Sequence, residues 1–248
     1  MKAFILAAGL GTRLKPWTLS HPKALVPVGE KPMLQRVIEN LRKQGIDDIS
    51  LNIHHFGNQI LDFLKAQNFI DIKVSDESDA LLDTGGALLK AAPILCADDS
   101  PVLVHNVDIV SNADFGRLLA WHNKTKADIT LLVSRRDSSR KLIFDQNMNL
   151  RGWHNLKTDE YRPEGFSMKP DYREYAFSGI YIISPSLISR MEKDGFSGKF
   201  SIIDYFLAQS DKRNIVGFPV EDLKLIDIGK PETLSQARLS YKDIITEV

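Results

Sequence analysis

The sequence is poor in the features that would place a protein outside the cell or on a nucleic acid. It contains a single cysteine, Cys96, so no disulfide can form within the chain, and we expect a reducing, cytoplasmic location. Lysine plus arginine and aspartate plus glutamate number 32 each, so the formal net charge is zero. A neutral chain has no electrostatic footprint for DNA, RNA or an anionic membrane, and we expect none of these as partners. A phosphate would have to be bound by a local site.

Long hydrophobic runs are also absent. The apolar start of the chain stops at Ala8 and continues into a glycine-rich loop, so it is too short for the core of a secretory leader. No stretch approaches the roughly 18 apolar residues that a membrane helix needs. The sequence has no internal repeat, low-complexity segment or linker, which predicts one domain over residues 1–248.

The first 135 residues alternate between strand-like and helix-like segments. Short apolar runs predict strands at residues 3–7, 49–53, 72–74, 102–104 and 129–133. Helical spacing of apolar residues predicts helices between Pro32 and Gly45, over 60–64, after Gly86 through Ala92, and over 115–121. Steady alternation of this kind predicts an α/β fold whose mostly parallel sheet carries helices on both faces.

The alternation ends near Arg135. Residues 136–174 are polar and rich in turns, and we expect loops and small antiparallel strands that form an insertion or lid over one edge of the sheet. The pair Arg135 and Arg136 is expected to lie in a solvated loop. Later patterns predict strands at 175–183, 215–218 and 223–228, a helix at 202–208, and a final helix that begins at Pro231.

A glycine-rich loop follows the first expected strand. Residues 9–16 read Gly-Leu-Gly-Thr-Arg-Leu-Lys-Pro, and Pro22-Lys23 comes soon after. Glycines let the backbone approach a phosphate closely, and consecutive amides can then hold its oxygens. Arg13 offers a planar, permanently charged fork, and Lys23 offers a compact point charge. Two cations beside the bond being broken would stabilise charge on a departing pyrophosphate, so both are candidate catalytic residues.

Other interpretations of this loop fit the sequence less well. A dinucleotide fingerprint requires a third glycine where the chain has Leu14, and a P-loop requires a second glycine followed by lysine and serine or threonine, which is absent. A tight turn with no ligand would explain the two glycines alone. It would not explain Arg13, Pro22 and Lys23 at this spacing, which favour a phosphate site.

The loop and the segments after it resemble a known family. Residues 6–14, Leu-Ala-Ala-Gly-Leu-Gly-Thr-Arg-Leu, are followed by Thr18-x-x-x-Pro22-Lys23 and by Leu-Val-Pro-Val at 25–28. Together they look like the opening of the sugar-1-phosphate nucleotidyltransferases, or NDP-sugar pyrophosphorylases, of the short single-domain type. The resemblance implies a Rossmann-like fold and transfer of a nucleotide from an NTP to a sugar 1-phosphate, with Mg²⁺ as cofactor and pyrophosphate as product.

The same resemblance implies a set of nucleotide-binding residues. Arg13 would hold the triphosphate and Lys23 would contact the reacting phosphates. The residues implied for binding the nucleotide are Leu6, Ala7, Ala8, Gly9, Gly11, Thr12, Asp83, Gly85, Gly86 and Asn106. Because Gly85 and Gly86 lack side chains, a planar base could lie on their backbone. Alternatively, Asp83 or Thr84 only caps the helix that follows.

Two aspartates are candidate metal ligands. Asp108 follows an expected strand, where a carboxylate beside a triphosphate suits Mg²⁺, although an aspartate there can also simply cap a turn. The family usually has Gly-Asp at this point, whereas this chain has Val107-Asp108. Asp-Ile-Gly-Lys-Pro at 227–231 resembles the family segment that supplies the second ligand. The resemblance therefore implies that Asp108 and Asp227 share one magnesium ion.

The acceptor side departs from the family pattern. Many members carry Glu-Lys-Pro in mid-chain, and the comparable residues 150–157 lack this triplet. By analogy, Asn155 would bind sugar hydroxyls, and Lys157 or Lys169 would bind the sugar phosphate. Residues 176–181, Ala-Phe-Ser-Gly-Ile-Tyr, do match a family segment, which implies that Gly179 lies against the sugar.

Three functions remain open from the sequence. The first is nucleotidyl transfer to a sugar 1-phosphate, with a preference for uridylyl transfer from the Asp-Thr-Gly-Gly segment at 83–86. The second is cytidylyl transfer to phosphocholine, for which Trp153, Tyr161 and Tyr175 could form an aromatic cage. The third is a regulator that binds nucleotides without catalysis, which the intact charged residues disfavour. The sequence does not decide between a monomer and a homo-oligomer.

Overall fold

The computed structural model of the chain describes residues 1–229 and 233–235. The strands of the first half are β1 (Lys2–Leu6), β2 (Pro27–Val28), β3 (Lys31–Pro32), β4 (Ile49–Ile53), β5 (Lys73–Asp76), β6 (Val102–Asn106), β7 (Ile109–Ser111) and β8 (Ile129–Ser134). The helices among them are α1 (Met33–Lys43), α2 (Gly57–Ala66), α3 (Asp83–Lys90), α4 (Ala92–Leu95) and α5 (Phe115–Thr125). The predicted strands of this half are confirmed, with ends shifted by at most two residues.

The second half adds further strands and helices. The strands are β9 (Arg140–Phe144), β10 (Leu150–Asn155), β11 (Glu160–Arg162), β12 (Arg173–Ile183), β13 (Ile215–Pro219) and β14 (Leu225–Asp227). The helices are α6 (Pro185–Ile188) and α7 (Ile202–Gln209). The final helix expected to begin at Pro231 starts outside the described residues.

The central sheet is parallel in the part formed by the apolar strands of the first half of the chain. Strands β5, β4, β1 and β6 lie side by side in that order and are parallel. β12 is antiparallel to β6 on one side and to β8 on the other, and β13 extends the sheet parallel to β8. The predicted α/β fold with a mostly parallel central sheet is confirmed.

Helices cover both faces of this sheet, because successive side chains of a strand point to opposite sides. Ala3 and Ile5 of β1 pack with α1, α2 and α5, whereas Phe4 between them packs with α3, α4, α6 and α7. Within the described residues, no helix is both long and apolar enough to cross a membrane. The cytoplasmic location and the absence of nucleic-acid partners stay predictions.

The polar segment 136–174 forms mostly antiparallel structure, as expected. β9, β10 and β11 pair in sequence, and β9 also pairs with the first residues of β12, so this unit extends one end of the sheet. A role for it on the acceptor side stays a prediction, as does the assignment of residues 1–248 to one domain.

Two details differ from the expectation. The helix placed after Gly86 begins at Asp83, so both glycines lie in its first turn, and Ala92 starts a separate helix. The strand expected at 223–228 exists as β14, but it pairs with the short strand β7 rather than with the central sheet. Three-residue strands such as β7 are too short to show a periodicity in the sequence.

His105 is the most deeply buried histidine beside the parallel strands. Its ring lies edge-on to Phe115 with centroids 5.9 Å apart, and Nδ1 donates to the carbonyl oxygen of Asn106 at 2.8 Å. Burial disfavours the imidazolium and lowers the pKa of His105 to about 4 from its usual 6.5. The folded protein therefore holds this histidine neutral throughout the physiological range.

This burial predicts a pH dependence of stability. Below pH 6.5, His105 binds a proton in the unfolded chain but not in the folded chain. The free energy of unfolding therefore falls from pH 6.5 towards pH 4. Between pH 7 and pH 5 we expect the unfolding free energy of the parent protein to fall by on the order of 1–2 kcal/mol more than that of His105→Gln. Urea unfolding at both pH values measures the difference. His21→Gln, at an exposed ring, should retain the parent slope; the same slope in His105→Gln would contradict the prediction.

Candidate active site

A cavity of about 350 Å³ lies at the carboxyl ends of the four parallel strands, where open α/β sheets bind ligands. It is called the nucleotide cavity below. Its lining comprises Leu6, Ala8, Gly9, Lys23, Asn52, Glu77, Leu81, Asp83, Thr84, Asn106, Val107, Asp108 and Lys199. Seven of these residues are predicted from the sequence: Leu6, Ala8, Gly9, Lys23, Asp83, Asn106 and Asp108. The predicted residues Ala7, Gly11, Thr12, Gly85 and Gly86 are not in the lining.

The floor of the nucleotide cavity is a buried polar network centred on Asn52. Its Oδ1 accepts from the amides of Ala7 at 2.7 Å and Ala8 at 3.3 Å, and its Nδ2 donates to Glu77 Oε1 at 2.6 Å. The other oxygen of Glu77 accepts from the amide of Leu82. Asn52 and Glu77 are both buried, and sequence reasoning missed them. The available signal was a single asparagine in the apolar strand Ile-Ser-Leu-Asn-Ile.

This network decides which amides of the glycine loop are available. The amides of Ala7 and Ala8 are already bonded to Asn52. Gly11, Thr12 and Arg13 begin a short 3₁₀ helix, so their amides have no intrahelical acceptor, and the described part of the chain supplies none. The loop can therefore offer phosphate-binding amides at residues 11–13 rather than at 7–8.

Gly11 brings the loop close to Lys23. Its backbone has a left-handed φ of 62°, which glycine adopts without strain, and a β-carbon there would lie 2.9 Å from the Lys23 β-carbon. Lys23 forms a close ion pair with Asp108. The two side chains are only 12% and 15% exposed, so water screens this pair weakly.

Arg13, Asp108 and Asp227 meet around Gly229. A β-carbon at Gly229 would lie 2.8 Å from an Arg13 guanidinium nitrogen, 2.8 Å from Asp227 Oδ1 and 3.4 Å from Asp108 Oδ2. The pairing of β7 with β14 creates this meeting point, since Asp227 lies opposite Ile109 and the amide of Ile228 donates to the carbonyl oxygen of Asp108 at 2.9 Å. Any larger residue there would displace the ends of the Arg13 and Asp227 side chains.

Asp108 and Asp227 supply the oxygen donors that suit a hard divalent cation. The described residues contain no group of three or more histidine, cysteine, aspartate or glutamate side chains that could hold a metal. Mg²⁺ typically takes only one or two carboxylates and completes its shell with phosphate oxygens and water. The donor set therefore fits an ion that arrives with a bound triphosphate.

Gly85 and Gly86, the two glycines of α3, pack against the segment that precedes α7. A β-carbon at Gly85 would lie 2.2 Å from the Phe200 ring, and one at Gly86 would lie 2.2 Å from the carbonyl oxygen of Gly198. The amide of Gly85 donates to the carbonyl oxygen of Phe200 at 2.9 Å. The space left by the missing side chains is thus filled by the segment before α7, not left open. A base-binding role for these glycines stays a prediction, and Asp83 and Thr84 are the members of the segment that reach the cavity.

A second cavity of about 710 Å³ is rich in cations, and we call it the arginine-rich cavity. Its charged lining residues are Arg13, Arg136, Asp137, Arg140, Lys157 and Asp227. Asn155 lines it as well, and its Oδ1 accepts from the amide of Lys157 at 3.1 Å. Of the two lysines considered for the acceptor phosphate, Lys157 lies here, whereas Lys169 packs over the ring of Tyr172.

The expectation of a solvated loop at residues 135–136 is wrong for Arg136. Its side chain is partly buried, and Nη2 donates to the carbonyl oxygen of Phe177 at 2.8 Å. Burial lowers the pKa of Arg136, and Asp227 opposes this shift. Arg136 Nε is buried without a hydrogen-bond partner. Arg135 is exposed, as expected. A sequence pattern could not show that β12 would cover one arginine and not its neighbour.

Gly179 shapes the wall of the nucleotide cavity from the neighbouring strand. β12 shifts register against β8 between Phe177 and Tyr181, and Gly179 within this irregularity has a left-handed φ of 75°. A β-carbon on Gly179 would lie 2.7 Å from Asn106 Nδ2. Gly179 therefore permits Asn106 to take its place in the cavity, while contact with a sugar stays a prediction.

The aromatic residues considered for a cage are dispersed. Tyr175 is buried and packs against Phe144, with ring centroids 6.0 Å apart. Tyr161 stacks on His154 at 3.9 Å, and the Arg162 guanidinium covers the Trp153 ring at 4.8 Å. None of the three candidate rings lines the arginine-rich cavity as described.

The fold and the two cavities define an α/β protein with a cluster of charged side chains at the carboxyl ends of its parallel strands. A family model described as nucleotidyl transferase matches residues 2–244. The chain belongs to the nucleotidyl transferase family, and the resemblance seen in its opening residues is confirmed.

Relatives at about one-third identity carry related names. A mannose-1-phosphate guanyltransferase of Yarrowia lipolytica is 31% identical over 244 residues, which cover 97% of this chain and 64% of that protein. One of Aspergillus oryzae is 34% identical over 200 residues, covering 77% and 52%. The chain thus spans between half and two thirds of the length of these relatives.

Solved structures share the fold. HddC from Yersinia pseudotuberculosis in complex with GMP-PN aligns with a TM-score of 0.74 at 25% identity, covering 97% of this chain and 99% of that one. A structure from Bacillus anthracis named for glucose-1-phosphate thymidylyltransferase, in complex with sucrose, aligns at 0.77 with 22% identity, covering 98% and 96%.

The Asn52 network predicts a large effect from one substitution. In Asn52→Leu, two buried amides and the Glu77 carboxylate lose their partner, which should cost about 2–4 kcal/mol of unfolding free energy. Ser50→Ala is the matched control on the same strand, because Ser50 Oγ makes one buried bond, to the carbonyl oxygen of Ala3, and its loss should cost about 1 kcal/mol. Chemical denaturation measures both. Equal losses would argue against a special role for Asn52.

Proposed function

We propose that this protein transfers a nucleotide from an NTP to a sugar 1-phosphate and releases pyrophosphate. The observation that carries the proposal is the meeting of Arg13, Asp108 and Asp227 around Gly229, with Lys23 paired to Asp108. The nucleotide cavity contains Lys23 and Asp108, and the arginine-rich cavity contains Arg13 and Asp227. Both cavities therefore contribute to one charged centre, as transfer between two bound substrates requires.

The chemistry that suits this centre is a single in-line displacement. A phosphate oxygen of the acceptor attacks the α-phosphorus of the NTP, and the bond to pyrophosphate breaks on the opposite side. The acceptor phosphate is already an anion, so no strong general base is needed. Arg13 and Lys23 would stabilise the charge that grows on the pyrophosphate, and the amides of residues 11–13 would hold the triphosphate in line.

Asp108 and Asp227 would hold the divalent cation, for which we propose Mg²⁺. When bound, this ion neutralises phosphate charge and helps to orient the triphosphate. Without it, the ion pair with Lys23 compensates Asp108. Lys23 is thereby kept beside the position where the reacting phosphates would lie.

The donor base is the finer part of the proposal. Residues 83–86 favour UTP in our interpretation of the sequence, whereas the named relatives are guanyltransferases and one structural neighbour was solved with GMP-PN. Glycine loops bind bases largely through the backbone, so the lining residues do not separate these donors. We therefore propose UTP and GTP as the two donors to compare first.

The alternatives receive less support from the geometry. A quaternary ammonium such as phosphocholine needs aromatic faces, whereas the arginine-rich cavity presents cations that would repel it. A regulator without catalysis would need neither two carboxylates nor two cations at one point. Mg²⁺-dependent turnover separates the enzyme from the regulator.

The deciding experiment measures pyrophosphate release with Mg²⁺ for each NTP against a panel of sugar 1-phosphates and phosphocholine. Release with one NTP and one sugar phosphate would support the proposal and assign the base. Release with only CTP and phosphocholine would replace the acceptor class. Nucleotide binding without release across the panel would support the regulator.

Arg13 allows a sharp test of the mechanism. In Arg13→Ala we expect kcat to fall by about 100-fold or more, because a cation that stabilises the transition state is lost. The side chain is exposed, so Tm should change little. Arg42→Ala is the control and should leave kcat unchanged. Arg42 lies on α1, and its guanidinium pairs with Asp71 at 2.7 Å. Near-normal turnover in Arg13→Ala would contradict the assigned role.

A further inference from the structure

The arginine-rich cavity holds more positive charge than a sugar 1-phosphate requires. Four cations line it against two carboxylates among the described residues: Arg13, Arg136, Arg140 and Lys157 against Asp137 and Asp227. None of the four forms an ion pair within residues 1–229 and 233–235. Arginines elsewhere on the chain do have carboxylate partners, as in Arg42–Asp71 and Arg162–Glu160.

The four cations divide between two sides of the fold. Arg13 belongs to the loop after β1 and meets Asp227 at Gly229, where the proposed transfer takes place. Arg136 and Arg140 belong to the connection from β8 to β9 and to the start of β9. Arg140 lies opposite Asn155 in the β9–β10 register. The sugar-binding candidate Asn155 is thus placed next to Arg140.

Arg136 is costly to keep in this position without an anion. Its guanidinium is partly withdrawn from water, Nη2 donates to the carbonyl oxygen of Phe177, Nη1 donates to that of Asp137 at 3.4 Å, and Nε has no acceptor. Asp227 is close enough to act on its charge, but no carboxylate of the described residues forms an ion pair with it, so a ligand anion bound there would stabilise the folded protein. Planar guanidinium groups are suited to paired oxygens, such as those of a carboxylate or a phosphate.

We propose that the acceptor is a sugar 1-phosphate with a second acidic group, a carboxylate or a second phosphate, and that Arg136 and Arg140 bind this group. This inference rests on the proposed function and narrows its substrate class. The 1-phosphate lies towards Lys157, and the sugar lies against Asn155. The second anion then lies at the β8–β9 connection, where it discriminates against neutral sugars.

The test compares matched acceptors with the Mg²⁺-loaded full-length protein and its preferred NTP. Glucose 1-phosphate is the neutral sugar, glucuronic acid 1-phosphate adds a carboxylate, and glucose 1,6-bisphosphate adds a phosphate. We expect kcat/KM to be about 10- to 100-fold higher for one of the two acidic acceptors, the range that a charge-assisted hydrogen-bonded contact supplies. The better acidic acceptor identifies the group. Equal or better use of glucose 1-phosphate would overturn the inference.

Variants assign the effect to the two arginines. Arg140→Gln and Arg136→Gln should remove most of this preference, chiefly through KM, while kcat/KM for glucose 1-phosphate changes by less than about threefold. Arg135→Gln is the matched control. The side chain of Arg135 is exposed, and its guanidinium carbon lies 6.0 Å from the centroid of the Tyr175 ring. Equal losses with neutral and acidic acceptors would mean that the arginines hold the 1-phosphate, and would overturn the inference.

Two further measurements keep the outcomes separate. Arg136→Gln loses the hydrogen bond to Phe177, so its Tm is compared with that of the parent protein. Because Arg140 is exposed, Arg140→Gln should fold normally. Calorimetric titration with the same three acceptors needs no turnover. Preferential binding of an acidic acceptor that Arg140→Gln abolishes, without pyrophosphate release, would retain the acceptor assignment and contradict the proposed function.

Discussion

The carboxamide of Asn52 is the contact on which the carboxyl end of the parallel sheet depends. It links the chain after β1, through the amides of Ala7 and Ala8, to Glu77 after β5. All of these residues are buried, so the loss of one partner would leave poorly solvated polar groups. The glycine loop therefore leaves the sheet from a fixed point. Its first two amides are used for structure, and those of residues 11–13 remain for a ligand.

Charge is concentrated at the two cavities although the whole chain is neutral. Lys23 and Asp108 compensate each other with little access to water, whereas the cations of the arginine-rich cavity have no ion-pair partner in the described residues. The electrostatic field of the protein is therefore local and depends on which charged groups the fold places together. A balanced composition is compatible with a positively charged cavity, because the positive and negative groups lie at different places on the chain.

The fold and the charged cluster at the strand ends were largely predictable, because buried parallel strands appear as continuous apolar runs and the glycine loop has a characteristic spacing. Other features depend on contacts between distant residues. Asn52 interacts with residues 45 and 25 positions away, and the role of Gly85 depends on Phe200. The burial of Arg136 depends on β12, and the pairing of β7 with β14 involves three-residue strands. No local pattern contains this information.

The position of β12 has a consequence for biosynthesis. The four parallel strands are complete once Asn106 has left the ribosome, but β6 then has one unpaired edge, and its antiparallel neighbour follows only after the polar insertion. An unpaired edge is a template for association with other chains, so the nascent protein is vulnerable during this interval. The arrival of β12 also brings Gly179 against Asn106. The strand that protects the edge of β6 therefore also places Gly179 beside Asn106 of the cavity lining.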